Sequence, residues 1–312
     1  MFARLSSAHF MFRNDSGRRS VLTKKGVQPV TLPLKRSSWN ITRSPRCQVE
    51  KISTAPKNSP VRKAAYNGIP CSPPRPMFLL FTDLDDTLFT SARKVPPTPA
   101  HRPLAYLKDG APVSYASPAQ QMLLAHWQAH ATTIPVTARN LDAYRRVRIP
   151  FTAHAVINHG GIILLPDGRA DPFWLAQSRA NAAQSVAALE ALAARLPATA
   201  ALNTRLIRDF DIPFYLLVKS TSADLAPLDD AAARLRPHLG RDFRLHRNGN
   251  NLAVLPAWLD KAHAVAHLLA QYRAVHPALV SISMGDSTSD LPYMRLCDYL
   301  LAPSASQIAR QL

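Results

Sequence analysis

Three carboxylates within four residues are the most chemically distinctive feature of the sequence. Asp83, Asp85 and Asp86 directly follow the apolar run 78–81. A run this short, preceded by prolines, predicts a strand buried on both faces, and its carboxylates would lie at the edge of the sheet where ligands bind. Because close carboxylates repel one another, we expect a cation among them, and Mg2+ prefers oxygen ligands. The alternative is an acidic loop in which Asp86 or Thr87 caps a helix.

A second pair of carboxylates follows another apolar run, at 279–284. Asp286 comes two residues after this run, and Asp290 lies four residues further on. This spacing places both side chains on one side of a helix that starts there. Asp286 or Ser287 could instead act only as a cap. A second junction of strand and carboxylate in the same chain favours one shared site.

Two further positions have the chemistry of phosphate binding. Thr137 and Arg139 follow the predicted strand 132–136, where a hydroxyl, a helix N-terminus and a guanidinium could hold phosphate oxygens. Alternatively, Thr137 only caps a helix at 138–147. Lys261 lies in the first turn of a helix capped by Asp260, where a cation opposes the helix dipole. A residue placed against its local preference favours a functional role, here the neutralisation of phosphate and carboxylate charge.

The elements that must position these residues predict two kinds of structure. Apolar runs that alternate with helical segments predict an α/β core with a parallel sheet. Residues 166–254 instead read as helix, two strands, helix and two strands, which predicts an α+β lid over the site. Five basic residues in its predicted strands could contact an anionic substrate, although solvated strand faces are the simpler interpretation. They are Arg205, Arg208, Lys219, Arg244 and Arg247.

The basic charge of the chain is concentrated at its N-terminus. The 312 residues carry a net charge of +18, but residues 1–76 hold 15 Lys and Arg against only Asp15 and Glu50. This segment lacks apolar periodicity, which predicts a disordered tail. It could be a mis-called translation start before Met77, which we favour, a transit peptide or a tether for nucleic acid. Residues 77–312 hold 23 basic against 18 acidic residues, so nucleic acid is not the expected partner of the rest.

Cysteine content and hydropathy limit the location of the protein. The chain has three cysteines, too few and too scattered for a disulfide framework, which predicts a reducing, cytoplasmic location unless the tail is a transit peptide. The sequence contains no run of 18 apolar residues, so it predicts no membrane span, and no membrane partner is expected. The sequence does not indicate an oligomeric state.

Four motifs occur in an order and spacing that can be compared with known families. They are Asp83-Leu84-Asp85-Asp86-Thr87-Leu88, Thr137-Ala138-Arg139, Lys261 and Gly285-Asp286-Ser287-Thr288-Ser289-Asp290. Together they resemble the motifs of the haloacid dehalogenase-like hydrolase superfamily. The lid is similar to the cap of its Cof-like and sucrose-phosphatase-like subgroup. The resemblance covers residues 77–312 and implies a Rossmann-like core in 77–165 and 255–312, with an inserted α+β cap domain in 166–254.

The resemblance also implies roles for the residues of the four motifs. Asp83 would be the nucleophile that forms an aspartyl-phosphate, and Asp85 the general acid and then the base. Phosphate oxygens would be held by Thr137, Arg139 and Lys261. Mg2+ would be held by the Asp83 carboxylate, the Asp85 backbone carbonyl, Asp286 and Asp290.

The resemblance therefore predicts a Mg2+-dependent phosphatase of a small phosphorylated metabolite, with a sugar phosphate favoured by the cap. Two positions depart from the common pattern, since Asp86 and Ala138 both stand where glycine is frequent. A phosphotransferase or phosphomutase with the same site is an alternative. Alternatives from other classes are a receiver-like signalling protein and a nucleic-acid-binding protein that acts through the tail.

Overall fold

The chain forms two compact units, Met1–Gly68 and Ile69–Leu312, in a computed structural model that describes residues 11–13, 19–23, 26–28 and 77–311. The described part of the first unit is an antiparallel sheet of β1 (Met11–Arg13), β2 (Arg19–Thr23) and β3 (Gly26–Gln28). The prediction of disorder for the rest of 1–76 lies outside the described residues. Among the described helices, none has the length and apolar character needed to cross a membrane.

The second unit alternates strands and helices along most of its length. In chain order its elements are β4 (Phe78–Thr82), β5 (Thr90–Ser91), β6 (Arg102–Tyr106), β7 (Pro112–Ala116), α1 (Pro118–His130), β8 (Thr132–Pro135), α2 (Leu141–Tyr144), β9 (Ala155–Ile157), β10 (Ile162–Leu164), α3 (Pro172–Ala194), β11 (Leu202–Asp209), β12 (Ile212–Ser220), α4 (Ala226–Leu235), β13 (Phe243–Asn248), β14 (Asn251–Pro256), α5 (Lys261–Val275), β15 (Val280–Met284), α6 (Leu291–Met294) and β16 (Tyr299–Leu301).

A parallel sheet forms the centre of this unit, which confirms the predicted α/β class. Its strand order is β16-β15-β4-β8, and every neighbouring pair is parallel. Leu79 and Phe81 pack with α5 in one apolar cluster, whereas Leu80 packs with α1 in another. Because alternate side chains of β4 are buried on opposite faces, the strand reads as an uninterrupted apolar run in the sequence.

The sheet continues beyond β8 through a single bridge. Val136 pairs in parallel with Val156 of β9, and β9 forms an antiparallel hairpin with β10. The connection between β9 and β10 is a short 3-10 turn, Asn158–Gly160. This hairpin carries the turn to the same edge of the sheet as the ends of β4 and β8.

The cap of one predicted helix is confirmed, and another predicted helix is wrong. Asp260 caps α5 as predicted, and α1 begins at a capping box in which Ser117 and Gln120 bond to each other's backbone N–H groups. The predicted helix 138–147 is reduced to α2. The Asn140 side chain caps this helix, and soon after it Arg148 donates to the Leu104 carbonyl of β6. The chain thus leaves the helix to join a strand that sequence reasoning missed.

That missed strand belongs to a small antiparallel sheet with the order β5-β7-β6. It lies between β4 and α1, where the sequence analysis predicts no strand. Strands this short, with Pro103 and Pro112 inside them, carry no clear alternation of apolar and polar residues.

The middle of the chain is a helix–strand unit with a four-stranded antiparallel sheet, here called the cap. The strand order is β11-β12-β14-β13. One face of the sheet packs against α3 and α4, where Leu216 and Val254 meet Leu189 and Leu228. The cap and the core lie within the single compact unit Ile69–Leu312, so the division at 166–254 remains an interpretation.

Candidate active site

The motif residues meet because three adjacent parallel strands end at the same edge of the sheet. The Asp83 N–H donates to the Met284 carbonyl (2.9 Å), and the Val136 N–H donates to the Thr82 carbonyl (2.7 Å). These bonds bring the ends of β15, β4 and β8 level. Asp83 therefore lies between the segment that leads to Asp286 and the segment that starts with Thr137.

Lys261 joins two of the carboxylates. Its Nζ lies 2.6 Å from Asp83 Oδ1 and 2.7 Å from Asp290 Oδ1, and all three residues are buried. Asp290 is held in place from its other oxygen, Oδ2, by the Ser287 N–H at 3.1 Å and the Ser287 hydroxyl at 3.0 Å. Asp290 was expected one turn into a helix, but it stands just before α6. Lys261 thus links Asp290 to Asp83, the predicted nucleophile.

The burial of these charges shifts their protonation. Burial raises the pKa of Asp83 well above its usual value; Lys261 opposes this shift and Asp290 adds to it. Burial alone would lower the pKa of Lys261, but Asp290 and Asp83 outweigh it and raise that pKa, so the ammonium stays charged. The pKa of Asp286 is raised to about 6 by burial and then by Asp290 and Asp86. Burial, more than the neighbouring carboxylates, therefore raises the pKa of Asp83 and Asp286, and Lys261 opposes both shifts.

The carboxylates fit the Mg2+ that the sequence implies. Asp83, Asp286 and Asp290 each offer an oxygen, and these three oxygens all lie within 4.8 Å of one another. Hard carboxylate oxygens are the ligands that Mg2+ prefers, and two of the three residues are buried. The Asp85 side chain is not part of this group, and the contribution of its backbone carbonyl stays a prediction.

Asp85 is bound by Arg139 through two parallel hydrogen bonds. Nε and Nη2 of the guanidinium each lie 2.7 Å from an Asp85 oxygen. A third donor, Nη1, bonds the Ala143 carbonyl (3.3 Å), and the guanidinium lies over the Phe89 ring. Arg139 was expected to bind phosphate, but in this structure it holds the predicted general acid.

Thr137 accepts one hydrogen bond through its hydroxyl, and the hydroxyl proton remains for another. Its hydroxyl oxygen accepts the Arg139 N–H (3.1 Å), so the hydroxyl proton is not used in that bond. Its backbone is fixed on both sides, because the N–H donates to Val156 (2.8 Å) and the carbonyl accepts from His159 (3.2 Å). The helix of which Thr137 was the alternative cap does not start there.

Asp86 has a backbone conformation that few residue types adopt. Its φ is 63°, in the left-handed region that residues other than Gly, Asn and Asp seldom adopt. Its carboxylate pairs with Lys94, on the segment that follows β5. Asp86 therefore anchors the loop after β4.

The turn between β9 and β10 comes close to the start of α5. Gly160 has a φ of 95°, and a Cβ built on it would lie 2.3 Å from the Asp260 carbonyl oxygen. Only glycine permits this approach. The contact fixes the turn against the residue that caps α5 and precedes Lys261.

Two histidines near the site were given no role from the sequence. They are His159 and His246. Their rings lie 5.9 Å apart, and the His159 ring packs edge-on against Tyr215 at 5.1 Å. Burial, followed by the charge of Lys261, lowers the pKa of both, which keeps them neutral at pH 7. Since His246 belongs to β13, these rings join the cap to the edge of the parallel sheet where Asp83 and Lys261 lie, here called the catalytic edge.

The structure thus brings Asp83, Lys261, Asp286 and Asp290 into one cluster and places Thr137 on the next strand end. Asp85 and Arg139 form a separate pair beside it. The signal for His246 was absent from the sequence, because a lone histidine in a polar hairpin strand is typical of a solvated surface.

Comparison with known proteins gives matches among solved structures only. No protein-family model and no curated protein matches the chain. The chain is similar to a sucrose-phosphatase from Synechocystis (17% identity, 76% of this chain and 86% of that one, TM-score 0.46). It is also similar to the C-terminal domain of trehalose-6-phosphate phosphatase from C. albicans (15%, 70% and 73%, TM-score 0.47). A haloacid dehalogenase-like hydrolase from Bacteroides thetaiotaomicron also matches (14%, 72% and 94%, TM-score 0.42). Since these TM-scores lie below 0.5, the function of the chain is inferred from the geometry of its own site.

Proposed function

We propose that this chain is a Mg2+-dependent phosphatase that hydrolyses a small phosphorylated metabolite through a phosphoryl group carried on Asp83. The observation that carries the proposal is the meeting of Asp83, Lys261 and Asp290 at strand ends, with Asp286 within 4.8 Å of the other two carboxylates. A buried nucleophile beside a fixed cation and a set of oxygen ligands is suited to phosphoryl transfer.

In the first half of the reaction, a carboxylate oxygen of Asp83 attacks the phosphorus. The bond between phosphorus and the leaving oxygen breaks, and Asp85 donates the proton that leaves with the alcohol. Thr137 donates a hydrogen bond to a phosphoryl oxygen, and Lys261 offsets its charge. Mg2+, held by Asp83, Asp286 and Asp290 when bound, would supply further charge neutralisation.

In the second half, water replaces Asp83 on the phosphorus. Asp85, now ionised, takes a proton from the water as the water oxygen attacks, and the bond between Asp83 and phosphorus breaks to release phosphate. This division of one hydrolysis into two displacements needs a group that gives and then takes a proton at the same place.

Arg139 is proposed as the residue that positions Asp85. A bidentate guanidinium stabilises the ionised form of a carboxylate, which suits the base in the second half. To act as an acid, Asp85 must leave this fork and be protonated. Its departure would free the guanidinium for a phosphate oxygen, the contact that the sequence predicts.

The proposal is tested by activity on a panel of phosphate monoesters that includes p-nitrophenyl phosphate and sugar phosphates. Asp83→Asn should lower turnover by about a thousandfold or more, because it removes the nucleophile. Asp230→Asn, an exposed residue of α4, makes the same chemical change away from the site and should leave turnover intact. EDTA should abolish wild-type activity, and added Mg2+ should restore it. Undiminished turnover by Asp83→Asn or by the metal-free protein would refute the proposal.

A further inference from the structure

We infer that the substrate of the proposed phosphatase carries a second anionic group, remote from the phosphoryl group that is transferred, and that a basic cleft between the cap and the core binds it. The inference rests on the proposed function and adds the class of substrate. The cleft has a volume of about 600 Å³. Its cations are Arg205 and Lys219 from the cap and Arg93 from the core.

The structure separates the five basic residues predicted on the strands of the cap into two groups. Three of them contact a carboxylate, and these pairs are Arg208 with Glu190 (3.7 Å), Arg244 with Asp260 (3.0 Å) and Arg247 with Asp229 (2.7 Å). Among the described residues, Arg205 and Lys219 form no such pair. These two are the cap residues whose charge lines the cleft.

The arginines of the cleft are oriented by uncharged groups. Arg205 Nη1 donates to the side-chain oxygen of Asn203 (3.0 Å), and Arg93 Nη2 donates to that of Asn250 (3.3 Å). An amide oxygen fixes a guanidinium without neutralising it. None of the residues that line the cleft is acidic. The cleft therefore keeps a full positive charge in a defined geometry, as a site for an anion requires.

The strand register places these cations on the face of the sheet that also carries His246. Arg205 pairs with Leu217, Leu217 pairs with Ala253, and Ala253 pairs with His246, so all four side chains share one face. Lys219 lies two residues beyond Leu217, diagonally opposite Arg205 at about 7–8 Å between Cα atoms.

Each wall of the cleft belongs to a segment that also reaches the catalytic edge. On the cap side, His246 lies beside His159, whose backbone N–H bonds the Thr137 carbonyl. Arg205 is three strands away from His246, about 14 Å at the usual strand spacing. On the core side, Arg93 precedes Lys94, which pairs with Asp86 of the catalytic loop. A substrate whose phosphate lies at Asp83 would thus extend along the cap toward the cleft.

Three disaccharide ligands, which span more than a single hexose, test this inference. Trehalose 6-phosphate has no second anion, the same compound oxidised at C6′ has a carboxylate there, and trehalose 6,6′-bisphosphate has a phosphate there. Their inhibition constants are measured against p-nitrophenyl phosphate turnover. We expect at least one of the two ligands with a second anion to bind wild-type protein about tenfold or more tightly than trehalose 6-phosphate, as a charge-assisted hydrogen bond would provide. The ligand that does so identifies the anion as carboxylate or phosphate.

Removing the two cap cations should remove this preference. In Arg205→Gln/Lys219→Met, the ratio of the inhibition constants should fall to about threefold or less. The control Arg234→Gln/Arg241→Gln makes the same change of charge at exposed cap positions outside the cleft and should keep the wild-type ratio. Equal binding of all three ligands to wild type, or an unchanged ratio in the first variant, would overturn the inference.

The failure of the proposed function gives a different result. If p-nitrophenyl phosphate is not hydrolysed at all, the proposed function fails, and the same ligand ratios are then measured by calorimetry. A preference that depends on Arg205 and Lys219 would show that the cleft binds anions without the proposed chemistry. Calorimetric ratios near one would refute the cleft as well.

Discussion

The cations of the core and those of the cap are placed in opposite ways. Lys261 is buried and lies within 2.7 Å of two carboxylates, whereas Lys219 is exposed in a cleft without an acidic residue. Arg139 is fixed by a carboxylate and Arg205 by an amide. Charges that stabilise chemistry at one atom must be held in advance, while charges that recognise a ligand must remain available to it. In the proposed function, the core performs the first task and the cap the second.

Replacement of Lys261 should have the largest effect on the core. Lys261→Met should lower turnover of p-nitrophenyl phosphate by about a thousandfold, since it removes the cation beside the transferred group. The variant should also unfold at a lower temperature, because Asp83 and Asp290 then remain buried without their partner. Lys108→Met, on an exposed turn, is the matched control and should behave as wild type. Wild-type turnover in Lys261→Met would contradict the assignment.

Asp85→Asn tests whether Asp85 donates a proton to the leaving alcohol. A leaving alcohol that needs a proton depends on Asp85, whereas p-nitrophenolate leaves readily without one. We therefore expect a loss of about a hundredfold on glucose 6-phosphate and a loss at least about tenfold smaller on p-nitrophenyl phosphate. Arg139→Gln, which removes the positioning of Asp85 and the proposed contact with a phosphate oxygen, should affect both substrates but less severely. Equal losses on both substrates in Asp85→Asn would exclude it as the general acid.

Replacing two glycines that have similar backbone angles compares the cost of an added side chain near the site with its cost at the surface. Gly160 has a φ of 95° and Gly168 a φ of 81°, but only Gly160 faces a neighbour, the Asp260 carbonyl. Gly168→Ala should cost about 1–2 kcal/mol of unfolding free energy from backbone strain. Gly160→Ala should cost about 1–3 kcal/mol more, from overpacking against α5. Urea denaturation measures both, and equal costs would mean that the turn is not held against α5.

The smallest expected effect is a change in the pH dependence of stability. His246 faces Lys261, Arg244, His159 and Asp290, and its pKa is lowered by burial and then by Lys261. The unfolded chain therefore binds this proton more tightly, and stability falls as the pH drops below about 6.5.

Replacing His246 should remove this contribution. His246→Gln should flatten the slope of unfolding free energy between pH 6.5 and 5.5 by at most about 1.4 kcal/mol per pH unit. The exposed His238→Gln is the control. A slope equal to that of wild type would show that His246 is not held neutral at the junction of cap and core.

The catalytic edge could largely be predicted from the sequence, because each of its residues follows a feature that local physics makes visible. A strand buried on both faces appears in the sequence as a short apolar run. The ends of β4, β8 and β15 could therefore be predicted, and with them the positions of Asp83, Thr137 and Asp286. Lys261 was readable because it stands at the unfavourable end of a helix dipole. Their assembly then follows from the parallel order of the strands.

What could not be predicted depends on contacts between distant segments. The fork between Arg139 and Asp85 joins residues 54 positions apart, and neither residue type indicates it. The direction of Arg205, Lys219 and His246 is set by the register of four antiparallel strands, and a shift of one residue would turn each to the other face. The helix predicted at 138–147 was wrong because the pairing of that segment with β6 competes with it.

Whether Asp83 carries the phosphoryl group can be decided by mass spectrometry of protein quenched in acid during turnover of p-nitrophenyl phosphate with Mg2+. We expect the peptide containing Asp83 to gain the mass of one phosphoryl group. This gain should be absent in Asp83→Asn and present in Asp230→Asn. Turnover without any such modified peptide, or with the phosphoryl group on another residue, would contradict the proposed mechanism.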